Sequence, residues 1–287
     1  MFSPYVRRLR LAAALRKMRE DRNLTADEVA KAVFQSRGKL SKLETAQTRP
    51  EAFEIMDMLE RLNVTGKEHD NIIHLARTAA RKGWWDQFAN VMGARQRLYA
   101  DLESGASTIR DYNQTGLPAP LQTPEFIAAM VELDECQGPL DYLPDRMAEA
   151  RTARQRHLLG TDGPSYEGVL DECVIHRLAV PPEVMAAQLR KLITVVMESE
   201  RITFQVLPHD TRIGGGFLPK ASFSIYSYPE SEDPSVAVVD TVTTDIILTK
   251  RNEVARYTGI HSRLQDASLS PDDSLAFLDR MANRLTT

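Results

Sequence analysis

A helical bundle followed by an α+β domain with a mostly antiparallel sheet is the architecture this 287-residue sequence predicts. Three observations predict it. Residues 1–83 read as short helices with apolar stripes at helical spacing, two of them opening on capping-box patterns. From residue 166 onward, β-branched and alternating segments appear between helices, the pattern of strands. The charge also divides. Residues 1–83 hold 17 Lys and Arg against 11 Asp and Glu, and the rest of the chain holds 19 against 29. An acidic remainder repels phosphate, so contact with a polyanion is expected of the first third alone.

Composition narrows the class further. Hydrophobic content of 43% and charged content of 26% are those of an ordinary globular protein. Cys136 and Cys173 form no Cys-x-x-Cys pair and no disulfide framework. Arg16, Lys17 and Arg19 interrupt the apolar run that a leader peptide would need, and no segment reaches the roughly 20 apolar residues of a membrane span. The expectation is a cytoplasmic protein with no membrane partner.

The bundle reads helix by helix. Helix one covers about 5–21, with Leu11, Leu15 and Met18 in one stripe. Helix two opens at Thr25, where Thr25-x-x-Glu28 is a capping box, and turns Val29, Ala30 and Val33 inward. Ser36 caps helix three, whose Leu40 and Leu43 point inward and whose Arg37, Gly38, Lys39, Ser41 and Lys42 point outward. Helix four follows Pro50 with Ile55, Leu59 and Leu62. Thr65-x-x-Glu68 predicts a second capping box, opening helix five through about Lys82 with Ile72, Leu75, Ala76 and Ala79 inward. Two short helices joined by a three- or four-residue turn inside such a bundle are a helix-turn-helix, whose second helix fits the DNA major groove. Arg and Lys reach guanine edges or phosphates, and hydroxyls and amides supply further hydrogen bonds. The candidate DNA contacts are Thr25, Gln35, Ser36, Arg37, Lys39, Ser41, Lys42 and Arg49.

Residues 9–50 resemble the Cro/repressor-like, XRE-type helix-turn-helix. The match rests on Leu24, Thr25, Glu28, Val29, Ala30, Ser36, Lys39, Ser41, Glu44 and Pro50, with like-for-like changes at Leu40, Lys42 and Leu43. Four positions depart from that pattern. Ala26 replaces a Gln that contacts phosphate. Phe34 replaces a Gly that ends helix two, at a cost of about 1 kcal/mol if a left-handed residue is still needed there. Gly38 replaces a Ser, and Ala46 replaces the Gly after Glu44. The resemblance implies a retained fold with an altered set of DNA contacts.

Gly83-Trp84-Trp85 ends the basic region, the two indoles sealing the bundle. A connecting helix is expected over 84–112, with Val91, Leu98, Leu102 and Ile109 at roughly helical intervals. The domain over 113–287 begins with the Pro-rich segment 116–123. Helices are expected at 124–136, 145–159, 182–198, 250–266 and 271–285, and strands at 166–170, 202–207, 217–227, 235–242 and 245–248.

This half resembles actinobacterial WhiJ-type regulators, which join an XRE head to a large domain of unknown function. The resemblance is carried in order by Gly83-Trp84-Trp85, Leu102-Glu103 with Ala106, Ile109 and Arg110, Leu121-Gln122-Thr123, and Arg151 with Arg154-Gln155. It continues through Asp171-Glu172, Gln188-Leu189 with Leu192, Val206-Leu207-Pro208 and Ala267 to Ser274. Ala119 and Pro120 depart from it. It implies a developmental or metabolic regulator, antitoxin-like, with a small BldB-like protein as partner.

Catalytic and metal signals are weak. His69 and His74 lie five apart, not at the i, i+4 spacing of a helical zinc pair. His157, His176 and His209 lie far apart in sequence. Gly214-Gly215-Gly216 lacks a phosphate-loop context, and no Gly-x-Ser-x-Gly elbow is present. The sequence predicts no enzyme, no metal and no cofactor. Arg151, Arg154 and Gln155 are the candidate site for a small-molecule effector or a protein partner. The function expected is a sequence-specific DNA-binding transcriptional regulator, a homodimer on a pseudo-palindromic operator in double-stranded DNA. The alternative is an antitoxin-like interaction module whose DNA binding is weak or secondary.

Overall fold

The computed structural model describes residues 1–34, 36–88, 92–136, 138–140, 142–216, 218–241 and 244–286. Gln35 and Val91, named above, and the expected strand bounds 217 and 242 lie outside the described residues. The chain divides into two units. The first is Met1–Gln87 with Leu98–Gly105 and Pro229–Pro234, and the second is the remainder.

The first unit contains α1 (Pro4–Asp21), α2 (Ala26–Val29), α3 (Arg37–Glu44), α4 (Ala52–Arg61) and α5 (Gly66–Ala79). Their apolar stripes meet in one core that includes Leu11, Leu15, Leu40, Ile55, Leu59 and Leu75. Three of the helices end in the same way. Asn23, Ala46 and Asn63 adopt positive φ after α1, α3 and α4. In each case the two backbone N–H groups at the turn bond back into the last helical turn, as in Gln47 N–H to Lys42 O at 2.8 Å and Ala46 N–H to Leu43 O at 3.1 Å. These are Schellman caps, which satisfy carbonyls the helix leaves open. Ala46 thus takes the left-handed position of the Gly it replaces, at a local cost of about 1–2 kcal/mol.

Two local expectations are corrected. The capping box at Thr25 forms completely, but Thr65 makes no side-chain cap bond. Gly66 has φ of +66°, so the chain enters α5 through a left-handed residue. Helix two does not stop at a left-handed residue near Phe34. It widens into a π-turn over Ala30–Phe34, and Phe34 joins the core at 6% exposure. The conditional cost assigned to Phe34 therefore does not arise.

Residues Leu98–Gly105 of α6 (Ala94–Gly105) and the loop Pro229–Pro234 complete this unit. Asp101 accepts hydrogen bonds from the Ser3 hydroxyl at 2.6 Å and the Tyr5 N–H at 3.0 Å. Burial raises its pKa against those bonds. Arg7 forks onto Glu230 and reaches Asp233 at 3.3 Å, and Arg10 meets the same two carboxylates at 3.0 and 3.3 Å.

The second unit is built on a six-stranded mixed sheet: β1 (Thr108–Asn113), β2 (Ser165–Asp171), β3 (Ile202–Leu207), β4 (Phe223–Ser227), β5 (Val236–Val239) and β6 (Ile246–Leu248). Strand order is β3-β2-β1-β4-β5-β6. The β1–β2 and β2–β3 pairings are parallel, and the other three are antiparallel. Parallel neighbours need long crossovers. The first carries α7 (Pro124–Glu135) and α8 (Pro144–Leu159), and the second carries α9 (Cys173–His176) and α10 (Pro182–Glu198). Two helices follow the sheet, α11 (Arg251–Ala267) and α12 (Pro271–Arg284). The edge of β3 is closed by the turn between them and the first turn of α12: Val206 N–H donates to Ser274 Oγ at 2.9 Å and Leu269 N–H to Val206 O at 2.9 Å. Gly168 stands opposite Phe204 in the β2–β3 pairing, where a Cβ would lie 2.4 Å from the ring.

The expected connecting helix over 84–112 is overturned in its second half. A 3-10 turn covers Trp84–Phe88, α6 ends at Gly105, and Ile109, Arg110 and Tyr112 lie in β1, with two paired neighbours. The period of two in Thr108–Asn113 is short and follows a true helix, so helical spacing read straight through it. Strand β4 likewise starts at Phe223, with the described residues 218–222 outside it, and β5 spans only Val236–Val239.

Candidate nucleic-acid interface

The turn between α2 and α3 places α3 against α1 and the π-turn, with Leu40 fully buried and Leu43 at 5% exposure. That fixes the opposite face outward. Arg37, Gly38, Ser41 and Lys42 are exposed, and Lys39 is half-buried. Ser36 occupies the N-cap position in extended conformation, yet its hydroxyl makes no cap bond. A Cβ at Gly38 would meet nothing closer than Ser36 Oγ at 3.7 Å, so that face is sterically open.

The helix is anchored from its far end. Glu44 takes a fork from Arg19, at 2.7 Å from Nε and 3.0 Å from Nη2, and Arg19 also donates to Leu24 O at 2.9 Å. The hydrogen bond to Glu44 raises the Arg19 pKa. The pair is nearly buried, so it sets the register of α3 on α1 rather than touching a ligand.

The predicted contact residues fall into two groups. Arg37, Ser41 and Lys42 project from α3 into solvent, with Ser36 at its start. Thr25, Lys39 and Arg49 are engaged elsewhere. The Thr25 hydroxyl donates to Glu28 Oε2 at 2.7 Å and accepts from the Glu28 N–H at 3.2 Å. Lys39 is bonded to Glu54 of α4, and that bond raises its pKa. Arg49 Nη2 lies 2.6 and 2.8 Å from the oxygens of Asp86. Arg37 has a looser neighbour, Asp27, at 3.3 Å with both side chains exposed. Sequence reasoning missed these carboxylates. Asp27, Glu54 and Asp86 lie ten or more positions from the cations they meet, and helical spacing carries no signal for such pairs.

Arg151, Arg154 and Gln155 hold other parts of the second unit. Arg151 Nη1 donates to Gln122 Oε1 at 2.6 Å, Arg154 Nη1 to Gln96 Oε1 at 2.6 Å, and Gln155 Nε2 to Gln122 O. Gln122 in turn donates to Leu117 O at 2.9 Å. The arginine-rich face of α8 therefore braces the Pro-rich segment. His176 Nε2 and His209 Nδ1, distant in sequence, each lie 2.8 Å from an oxygen of Glu172. Among the described residues no cluster of three or more His, Cys, Asp and Glu is placed to hold a metal.

A five-helix bundle exposing a basic helix after a tight turn, followed by a separate α+β unit, defines a helix-turn-helix protein with a large C-terminal domain. The helix-turn-helix domain model matches residues 10–72. A second model, the domain of unknown function DUF5753, matches residues 96–280, and the chain belongs to that family. No curated protein and no solved structure matches the chain. No described helix is long and apolar enough to cross a membrane.

Proposed function

We propose that this chain is a sequence-specific DNA-binding transcriptional regulator of the XRE type. It acts as a homodimer on a pseudo-palindromic operator, and its C-terminal domain takes a regulatory input. The observation that carries the reading is α3: Leu40 and Leu43 bury one face while Arg37, Gly38, Ser41 and Lys42 stand open on the other. Arg37 and Lys42 supply guanine or phosphate contacts, and Ser36 and Ser41 supply hydroxyls. Two such helices in a dimer would read half-sites about 34 Å apart. Arg37→Ala with Lys42→Ala should weaken binding to a selected genomic fragment at least about tenfold in a gel shift at moderate salt, with the melting curve unchanged. Equal binding by the double variant would defeat the assignment.

One observation favours a second reading, an antitoxin-like interaction module with secondary DNA binding. Lys39, Arg49 and Arg37 each have a carboxylate within ion-pair distance, so phosphate must displace protein partners at three of the candidate cations. A small protein recovered stoichiometrically with the chain from its native host, alongside weak DNA binding, would support this reading. Recovery of the chain alone would count against it.

A further inference from the structure

The second unit is acidic as a whole, yet two cations, Lys220 and Arg256, line one cleft without an ion-paired carboxylate. The cleft opens between the N-terminal half of α11 and the antiparallel half of the sheet, with a volume of about 320 Å³. Its floor is apolar: Phe223 of β4, Val239 of β5, Leu248 of β6 and Ile260 of α11. Tyr257 stands on one wall, its ring edge-on to Phe223 at 5.0 Å. Lys220 and Arg256, both exposed, stand at the rim. A second cleft of about 330 Å³ shares Arg256 and Ile260 and is bordered by Arg263. Glu253 also lines the first cleft, and its carboxylate lies 3.6 Å from the Lys250 ammonium. Among the described residues, the side chains of Lys220, Arg256 and Arg263 form no ion pair or hydrogen bond.

An apolar floor binds hydrocarbon or aromatic surface, and unpaired cations at its rim orient an anionic head. A neutral apolar ligand would leave those cations unused. A polyanion would find no cation on the floor. The volume sits at the small end of ligand sites, which run roughly 300–1,000 Å³. We propose that this cleft binds a small amphipathic carboxylate, its apolar body on Phe223, Val239, Leu248 and Ile260 and its carboxylate between Lys220 and Arg256. The proposal rests on reading the C-terminal domain as the regulatory half of the protein, and it moves the effector site away from Arg151, Arg154 and Gln155.

The test is calorimetric titration of the full chain with decanoate below its micellar concentration, beside decanamide, which has the same chain and no charge. Saturable binding at one site is expected, with decanamide about tenfold weaker or more. Arg256→Gln and Lys220→Gln should each weaken decanoate about tenfold, while Arg256→Lys retains most of the affinity. Both side chains are exposed, so melting curves should match the wild type. Absence of saturable decanoate binding, equal affinity for decanamide, or binding untouched by the two charge-removing substitutions would each overturn the proposal. Calorimetry needs no DNA, so failure here leaves DNA binding standing, and failure of DNA binding leaves this result readable.

Discussion

At the scale of single residues, burial sets the chemistry. Asp111 in β1 accepts from the hydroxyls of Tyr166 and Ser224. Burial nevertheless raises its pKa from 3.8 to about 6. A carboxyl with a raised folded pKa binds its proton more tightly in the folded state, so stability falls as pH rises between the unfolded and folded values. From pH 3.8 to about 6 this residue should cost the fold roughly 3 kcal/mol, flat above that range. Asp111→Asn cannot titrate. Its stability relative to wild type, from urea unfolding, should rise across that window and level off above it. A constant difference from pH 3.5 to 7 would show that Asp111 does not titrate there. Nothing in the sequence marked Asp111, because its neighbours come from β2 and β4, 55 and 113 positions away.

At the scale of elements, the bundle was legible because its signals are local. Apolar spacing and the Thr25 cap placed α1 to α5 within a few residues. Strand β1 was not legible, since Ile109 and Tyr112 become strand residues only through pairing with β2 and β4. Of the face of α3 expected to point outward, Arg37, Gly38, Ser41 and Lys42 are exposed while Lys39 is half-buried against Glu54, and none of the carboxylates opposite its cations was read. Two predictions belong here. Arg19→Met leaves the Glu44 carboxylate, 6% exposed, with only the longer 3.9 Å contact to Arg16, and should cost roughly 3–5 kcal/mol. Adding Glu44→Leu should recover most of that loss, and a double variant no more stable than the single would contradict the pairing. Glu54→Gln frees Lys39 and should tighten DNA binding severalfold at moderate salt. Unchanged or weaker binding would remove Lys39 from the contact set.

At the scale of the whole molecule, chain order and spatial unit differ. The loop Pro229–Pro234 lies in sequence between β4 and β5, yet it belongs to the first unit, where Glu230 and Asp233 meet Arg7 and Arg10. The bond from Arg7 holds the Glu230 pKa down to about 2. A depressed carboxylate contributes stability that is present above its unfolded value, near 4.5, and is lost as pH falls through about 2. Glu230 is half exposed, so solvent screens much of this effect. Glu230→Gln should lower the melting temperature slightly at pH 7, with the deficit vanishing near pH 2. A deficit that persists at pH 2 would assign it to lost packing.

The central claim concerns α3 and DNA. Its most direct measurement is affinity for a genomic fragment the protein itself selects, followed against salt for the wild type and for Arg37→Ala with Lys42→Ala. Each phosphate contact adds about 0.9 to the slope of log affinity against log salt. The expected result is a steep slope for the wild type, and for the variant an affinity at least about tenfold weaker with a slope reduced by up to about two. Equal affinity and equal slope in the two proteins would contradict the assignment of α3 as the DNA-reading helix.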